Sequence, residues 1–130
     1  MSDKQVIHTD DAPGPFQGAP YSQAIAAGGF VFVAGQLGLQ PGAGSPVEGG
    51  IGPQTERALA NLAAILDAAG SSLRSVVKTS VFLLDLADFP AMNEVYARHF
   101  THSPPARSTF QVAGLPSGAL VEIEAIAAIA

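Results

Sequence analysis

The chain contains no cysteine, which excludes disulfides, thiol nucleophiles and zinc–thiolate centres. Charge is scarce as well. Asp, Glu, Lys and Arg make up 13 % of the 130 residues, well below the roughly 25 % of ordinary soluble domains. Six Lys and Arg stand against eleven Asp and Glu, and there is no basic tract. A nucleic-acid site needs a cationic footprint, so nucleic acid is disfavoured as a partner. No segment reaches the roughly 18 apolar residues of a membrane span, and "MSDKQVIHTDD" at the start lacks an apolar signal core. The expectation is a soluble cytoplasmic protein with no membrane partner.

What is present is apolar. Such residues make up 48 % of the sequence, and the length suits one domain spanning residues 1–130. So few charges cover the surface of a lone domain poorly, which points to surface buried between copies of the chain.

Local patterns place the elements. "APGPFQGAP" (12–20) is a Pro/Gly-rich loop, and "GGFVFVAGQLGL" (28–39) is a β-branched and aromatic strand bounded by glycines. "QPGAGSPVEGG" (40–50) is a turn region. A helix begins near Gly52, with Pro53 in its first turn. Leu59, Leu62, Leu66 and Ala69 recur at helical spacing, and Gly70 stops it. "SVVKTSVFLL" (75–84) is apolar on both faces, as a central strand covered on both sides would be. Asp88 is placed as the N-cap of a second helix with Pro90 in its first turn, and Met92, Val95, Tyr96 and Phe100 form its apolar face. "RSTFQVA" (107–113) and "ALVEIEAIAAI" (119–129) are strands joined by the turn "GLPSG". This order predicts an α+β fold or mixed α/β sandwich, with helices on one face of a sheet.

The charges within "PPARSTFQVAGLPSGALVEIEAIA" (104–127) stand out. Period two puts Leu120, Glu122, Glu124 and Ile126 on one face, with Val121, Ile123 and Ala125 on the other. Arg107, Thr109 and Gln111 share a face of the preceding strand. If the two strands pair, the arginine and a carboxylate can converge. Such a pair is either a structural salt bridge or sheet edge, or a ligand site. In a site, Arg would grip a carboxylate as a planar fork while Glu moves protons or holds water. The pattern leaves both readings open.

Other candidates are weaker. His8, His99 and His102 lack metal-ligand spacing. Ser22, Ser108 and Ser117 have no base implied by sequence to make them nucleophiles. "GGIGPQT" follows no strand fingerprint, lacks the lysine of a phosphate loop, and reads as a turn and helix cap. Tyr21 in "PYSQA" is a core or surface ring on pattern alone.

The blocks "PYSQAI", "FVAGQ", "PQTERALANLAAILDAAG", "VVKTSVFLLDLADF", "MNEVYARHF" and "PARSTFQVAGLPSGALVEIEAIA" together resemble the Rid family, the reactive intermediate deaminases also called RidA/YjgF. The resemblance runs from about residue 5 to the C-terminus. It implies a chorismate-mutase-like α+β subunit, a mixed sheet with two helices on one face, assembled as a homotrimer with sites in clefts between subunits. It also implies hydrolysis of enamines and imines, chiefly 2-aminoacrylate and its tautomer 2-iminopropanoate, to 2-oxo acids and ammonia. By position, Arg107 matches the carboxylate clamp and Glu122 the acidic residue that orients water or shuttles protons. Tyr21, Gly35, Asn93 and Thr109 match further substrate-contacting positions. No metal or organic cofactor is implied, because an iminium is already activated toward water. The same resemblance admits a second role, a trimer that binds 2-oxo acids as a chaperone-like or regulatory module. Three departures mark this chain: Ala19 precedes Pro20 where the family pattern has Gly, "APGPFQGAP" is longer than usual, and Ala34 stands where some members carry a serine.

Overall fold

In the computed structural model, which describes residues 3–129, helix packing follows directly from the 3.6-residue period of the chain after Gly50. Helix α1 runs Ile51–Ala68 and buries Ala58, Leu59, Leu62, Ile65 and Leu66 on one side. Gly50 (φ 86°) and Gly49 (φ 112°) make the entry turn, and a Cβ on Gly49 would lie 2.7 Å from Pro53 Cγ. At the other end Gly70 takes φ 78°. There Gly70 N–H bonds the Asp67 carbonyl (3.0 Å) and Ser71 N–H the Leu66 carbonyl (2.8 Å), so the last carbonyls find donors.

Six strands form one sheet: β1 Gln5–Ile7, β2 Ala24–Ala27, β3 Phe30–Leu37, β4 Val76–Leu83, β5 Ala106–Gln111 and β6 Val121–Ala128. Their order across the sheet is β1-β2-β3-β6-β4-β5. All neighbours are antiparallel except β4 and β5, which are parallel. The second helix, α2 (Phe89–His99), supplies the crossover that parallel neighbours require. Both helices pack on the same face, so the α+β expectation with one helical layer holds. No described helix is long and apolar enough to cross a membrane.

β6 divides its residues by parity. Val121, Ile123, Ala125 and Ala127 sink into the helix-covered core, while Glu122, Glu124, Ile126 and Ala128 face the other way. That opposite face is open in the single chain. Phe30, Phe32 and Phe110 lie there 41 %, 45 % and 54 % exposed. β4 therefore departs from the expectation of cover on both sides. Val81 and Leu83 are fully buried toward the helices, but Val77 is exposed and Lys78, Ser80 and Phe82 are only partly covered.

Two further differences are local. Asp88 occupies the cap position of α2 but makes no side-chain cap bond; the Asp85 carboxylate instead accepts from Ala87 N–H (2.8 Å) on the 3₁₀ turn leading in. β1 and β2 are short, and "AIAA" has little β-branching to announce a strand. They form because β2 hydrogen-bonds along β3.

The segment after β3 is tied to α1 by one buried amide. Asn61 Nδ2 donates to the Leu37 and Leu39 carbonyls (3.1 and 2.8 Å), and its Oδ1 accepts from Arg57 Nε and Nη2 (3.0 and 2.7 Å). Replacing it with Leu strands those acceptors in a dry setting. Asn61→Leu is expected to lower unfolding free energy by about 2–6 kcal/mol, at one to three for each of the two orphaned carbonyls. Urea denaturation measures this, and an unchanged midpoint would contradict it.

Candidate functional site

Arg107 and its surroundings are built by α2. Phe89, Asn93 and Tyr96 sit at i, i+4 and i+7, a single stripe of that helix, and the stripe faces the start of β5. The Arg107 guanidinium lies 4.7 Å from the Tyr96 ring centroid and 5.4 Å from that of Phe89. Two aromatic rings thus hold the cation through their faces and fix the plane of its fork. Tyr96 is itself fixed by a 2.6 Å hydrogen bond between its hydroxyl and Thr79 Oγ1 in the core. Burial pushes the Tyr96 phenol above its ordinary pKa, and the Thr79 hydrogen bond and the Arg107 charge only partly offset this. Tyr96 therefore stays protonated and neutral beside the cation.

A cleft of about 290 Å³ opens here, lined by Asn93, Tyr96, Ala97, Phe100, Pro105 and Arg107 among others. Asn93 Oδ1 is buried with no hydrogen-bond partner among the described residues. A buried acceptor gains from a donor, so a ligand N–H placed here would be favoured. Thr109 lies two residues beyond Arg107 on β5, opposite Val81 and half-buried.

Glu122 belongs to a different neighbourhood. It points to the open sheet face, pairing with Leu37 on β3 and Phe82 on β4. The β3–β6 register shifts between Val33 and Gln36, so Ala34 and Gly35 together oppose one residue of β6. This bulge brings Gly35 against the carboxylate. A Cβ at residue 35 would lie 2.5 Å from Glu122 Oε2, so any larger residue would push the carboxylate out of this position. Burial raises the Glu122 pKa above the usual carboxylate range, and the Glu124 charge on the same face raises it further. A carboxyl held this way keeps a proton more readily than an ordinary one, which suits it to proton exchange with a bound substrate. Tyr21 stands at the far side of Gly35, and its hydroxyl oxygen accepts from Phe16 N–H at 2.6 Å.

The six residues singled out from sequence thus form two groups, Arg107 with Asn93 and Thr109, and Glu122 with Gly35 and Tyr21. The strands of Arg107 and Glu122 do not pair, because β4 lies between them. Nor do the side chains share a face: Arg107 stacks on α2, and Glu122 projects from the opposite side. The conditional pairing of the two strands is overturned, and no Arg107–Glu122 salt bridge exists within the chain. Phe89 and Tyr96 were not foreseen as site residues. Their seven-residue spacing, with Asn93 between, was the available signal.

The remaining candidates stay outside these groups. The largest cleft, about 720 Å³, lies between the helices, is lined by Pro53, Glu56, Arg57, Glu94, Val95 and Arg98, and contains none of the six. His99 Nε2 is 3.0 Å from Glu56 Oε2 in a part-buried pair, and His8 Nε2 is 3.0 Å from Asp10 Oδ1 on the surface. Among the described residues, no group of three or more His, Asp and Glu could hold a metal ion.

The raised Glu122 pKa has a stability consequence. The folded state keeps this proton more tightly than the unfolded chain does. Stability therefore falls as pH rises from the ordinary carboxylate range through the folded pKa. Glu122→Gln is expected to flatten that decline and leave the subunit at least as stable at neutral pH. Thermal melts across pH 4–8, on the order of that window, check it; a steeper decline in the variant would refute it. Tyr96→Phe leaves Thr79 Oγ1 buried and unpaired, and should cost about 1–3 kcal/mol in the same melts.

Comparison with known proteins agrees with this architecture. The family model described as "Endoribonuclease L-PSP" matches residues 10–129. The chain is 52 % identical over 124 residues to a RutC family protein of Pyrococcus horikoshii, covering 95 % of this chain and 97 % of that one. It is 44 % identical over 124 residues to human 2-iminobutanoate/2-iminopropanoate deaminase, covering 95 % and 89 %. Among solved structures, E. coli TdcF with bound serine superposes with a TM-score of 0.90 at 39 % identity, covering 97 % of this chain and 99 % of that one. With the match spanning residues 10–129, the chain belongs to the Rid (RidA/YjgF, L-PSP) family.

Proposed function

We propose that the protein hydrolyses enamine and imine intermediates of 2-amino acids, namely 2-aminoacrylate, 2-iminopropanoate and related 2-imino acids, releasing a 2-oxo acid and ammonia. The observation that carries this reading is the division of labour between the two groups. One offers a rigid cation beside an unpartnered buried acceptor, and the other a proton-exchanging carboxyl. Relatives 44–49 % identical over most of the chain carry deaminase names, which supports the same chemistry.

The chemistry follows from the residues. Arg107 binds the substrate carboxylate through its fork, held flat by Phe89 and Tyr96. Asn93 Oδ1 accepts a hydrogen bond from the substrate. The substrate is thereby oriented, which lowers the entropic part of the barrier. Glu122 takes a proton from water as its oxygen bonds to the imine carbon, giving a tetrahedral carbinolamine. It then returns that proton to nitrogen and takes the hydroxyl proton of the carbinolamine as C–N cleavage expels ammonia and the carbonyl forms.

Both groups act on one substrate only if two chains contribute. The exposed aromatics of the open face supply the surface for such an assembly, and the family resemblance makes it a homotrimer with a site at each interface. A non-catalytic binder of 2-oxo acids would need Arg107 but would not need a carboxyl with a raised pKa. The nuclease wording of the family description finds no cationic footprint here, with six Lys and Arg in the sequence and no run among them.

Four measurements test this reading. Light scattering is expected to give about three chain masses, the closed assembly of like subunits; a monomer at micromolar concentration would refute the shared site. Arg107→Ala should weaken pyruvate binding by roughly 2–5 kcal/mol, as for loss of a desolvated charge partner. Glu122→Gln should bind pyruvate yet lose turnover of 2-aminoacrylate generated in situ by a dehydratase. Finally, the two inactive variants, unfolded and refolded together, should regain activity. Random mixing leaves about a quarter of two-chain sites with both groups intact. No recovery would mean that each site draws both groups from one chain.

A further inference from the structure

The long loop before Tyr21 is ordered by its own bonds. Gln23, buried, clamps its first part: the side-chain amide accepts from Thr9 N–H (2.8 Å) and donates to the Thr9, Ala12 and Pro13 carbonyls (3.0, 3.2 and 2.9 Å). The loop then makes a tight turn at Phe16–Gly18, where Gln17 takes φ 52° and Gly18 φ 68°. Gln17 is one of three non-glycine residues with positive φ among those described. A left-handed residue of this type persists only where its surroundings hold it. Here the Phe16 N–H bond to the Tyr21 hydroxyl (2.6 Å) and the Ala19 N–H bond to the Phe16 carbonyl (3.0 Å) do so.

The outcome is that Phe16 becomes a wall. A small cavity of about 50 Å³ is lined by Pro13, Phe16, Tyr21, Gly35, Leu37 and Leu39, among others. It adjoins Glu122 on two counts. Gly35 leaves no room for a Cβ against that carboxylate, and Leu37 is the cross-strand partner of Glu122. No charged side chain lines it. Hydrocarbon is favoured in such a space, and a second carboxylate or an ammonium would be stripped of water without a partner.

We propose that this cavity receives the side chain of the substrate, and that Phe16 sets specificity for 2-imino acids with short or branched aliphatic side chains over those with charged ones. The inference rests on the deaminase reading: the carboxylate of the substrate sits at Arg107, its imine carbon at Glu122, and its side chain against Phe16. Gln17 and Gly18 give the backbone path, and Tyr21 holds the turn in place.

The test compares the parent with Phe16→Ala and Phe16→Leu. Calorimetry measures binding of pyruvate, 4-methyl-2-oxopentanoate and 2-oxoglutarate. In parallel, imines of alanine, leucine and glutamate are generated by an amino-acid oxidase, and turnover is scored as the fraction rescued from a semicarbazide trap. The parent should favour the branched aliphatic ligand over 2-oxoglutarate. Phe16→Ala should reduce the preference for the branched ligand over pyruvate by about tenfold, the scale of a lost contact in an apolar pocket. Phe16→Leu should retain most of it. The proposal is overturned if both variants leave the ratio unchanged, or if the parent prefers 2-oxoglutarate. If the imines are hydrolysed with ratios insensitive to Phe16, the side-chain pocket is wrong and the deaminase reading stands. If none is hydrolysed but the binding ratio still follows Phe16, the pocket stands and the deaminase reading fails.

Discussion

A β-strand has two faces, and β6 uses them for opposite purposes. Its odd-numbered residues close the core against both helices. Its even-numbered residues are freed by that commitment to carry Glu122 and Glu124. Because β6 lies between β3 and β4, both neighbours must adopt the same parity in register. Val31 and Val33 on one side, and Val81 and Leu83 on the other, join the core for this reason. A one-residue slip would drive two carboxylates into the core and expose four apolar side chains. The cost of that exchange pins the register, and the register places Glu122.

The same constraint governs Arg107 from the other end of the sheet. β5 pairs in parallel with β4, so Arg107 lies opposite Thr79. Thr79 faces the helices and bonds Tyr96. Arg107 inherits that side and meets the aromatic stripe of α2. A long cationic side chain at a sheet edge would ordinarily sample many rotamers in water. The two rings exchange that freedom for one plane, and the core bond of Tyr96 keeps its ring from following the cation outward. The apolar packing of α2 thus passes directly into the orientation of a single polar group.

Much of this was legible in the sequence, for reasons that can be named. The parity of "LVEIEAI" showed which residues would flank Glu122, since alternation is local. The two long helices and four of the strands announced themselves through periodicity, glycine stops and β-branching. The strand order was not legible. Pairing depends on which edges meet after a crossover, and nothing local to "RSTFQVA" says that β4, rather than β6, lies beside it. The short strands at one edge escaped because "QVI" and "AIAA" draw their structure from β3. Tyr96 reads as core because an aromatic on an apolar helix face has that fate by default, and Phe89, at the first turn of α2, carries no signal of its own. Their second role depends on an arginine many residues away. The bulge at Gly35 was hidden for a similar reason: it exists only relative to the partner strand.

Placing Arg107 and Glu122 on opposite faces of a sheet has a consequence for abundance. No loop motion short of unfolding carries one side chain around the sheet to the other. Any chemistry that needs both groups is therefore subject to mass action in the protein itself. In the shared site proposed above, dilution toward the concentration at which chains separate would remove complete sites as well as chains, and the rate would fall more steeply than the amount of protein. A cell could then lose the activity through a modest drop in expression, with every remaining chain still correctly folded.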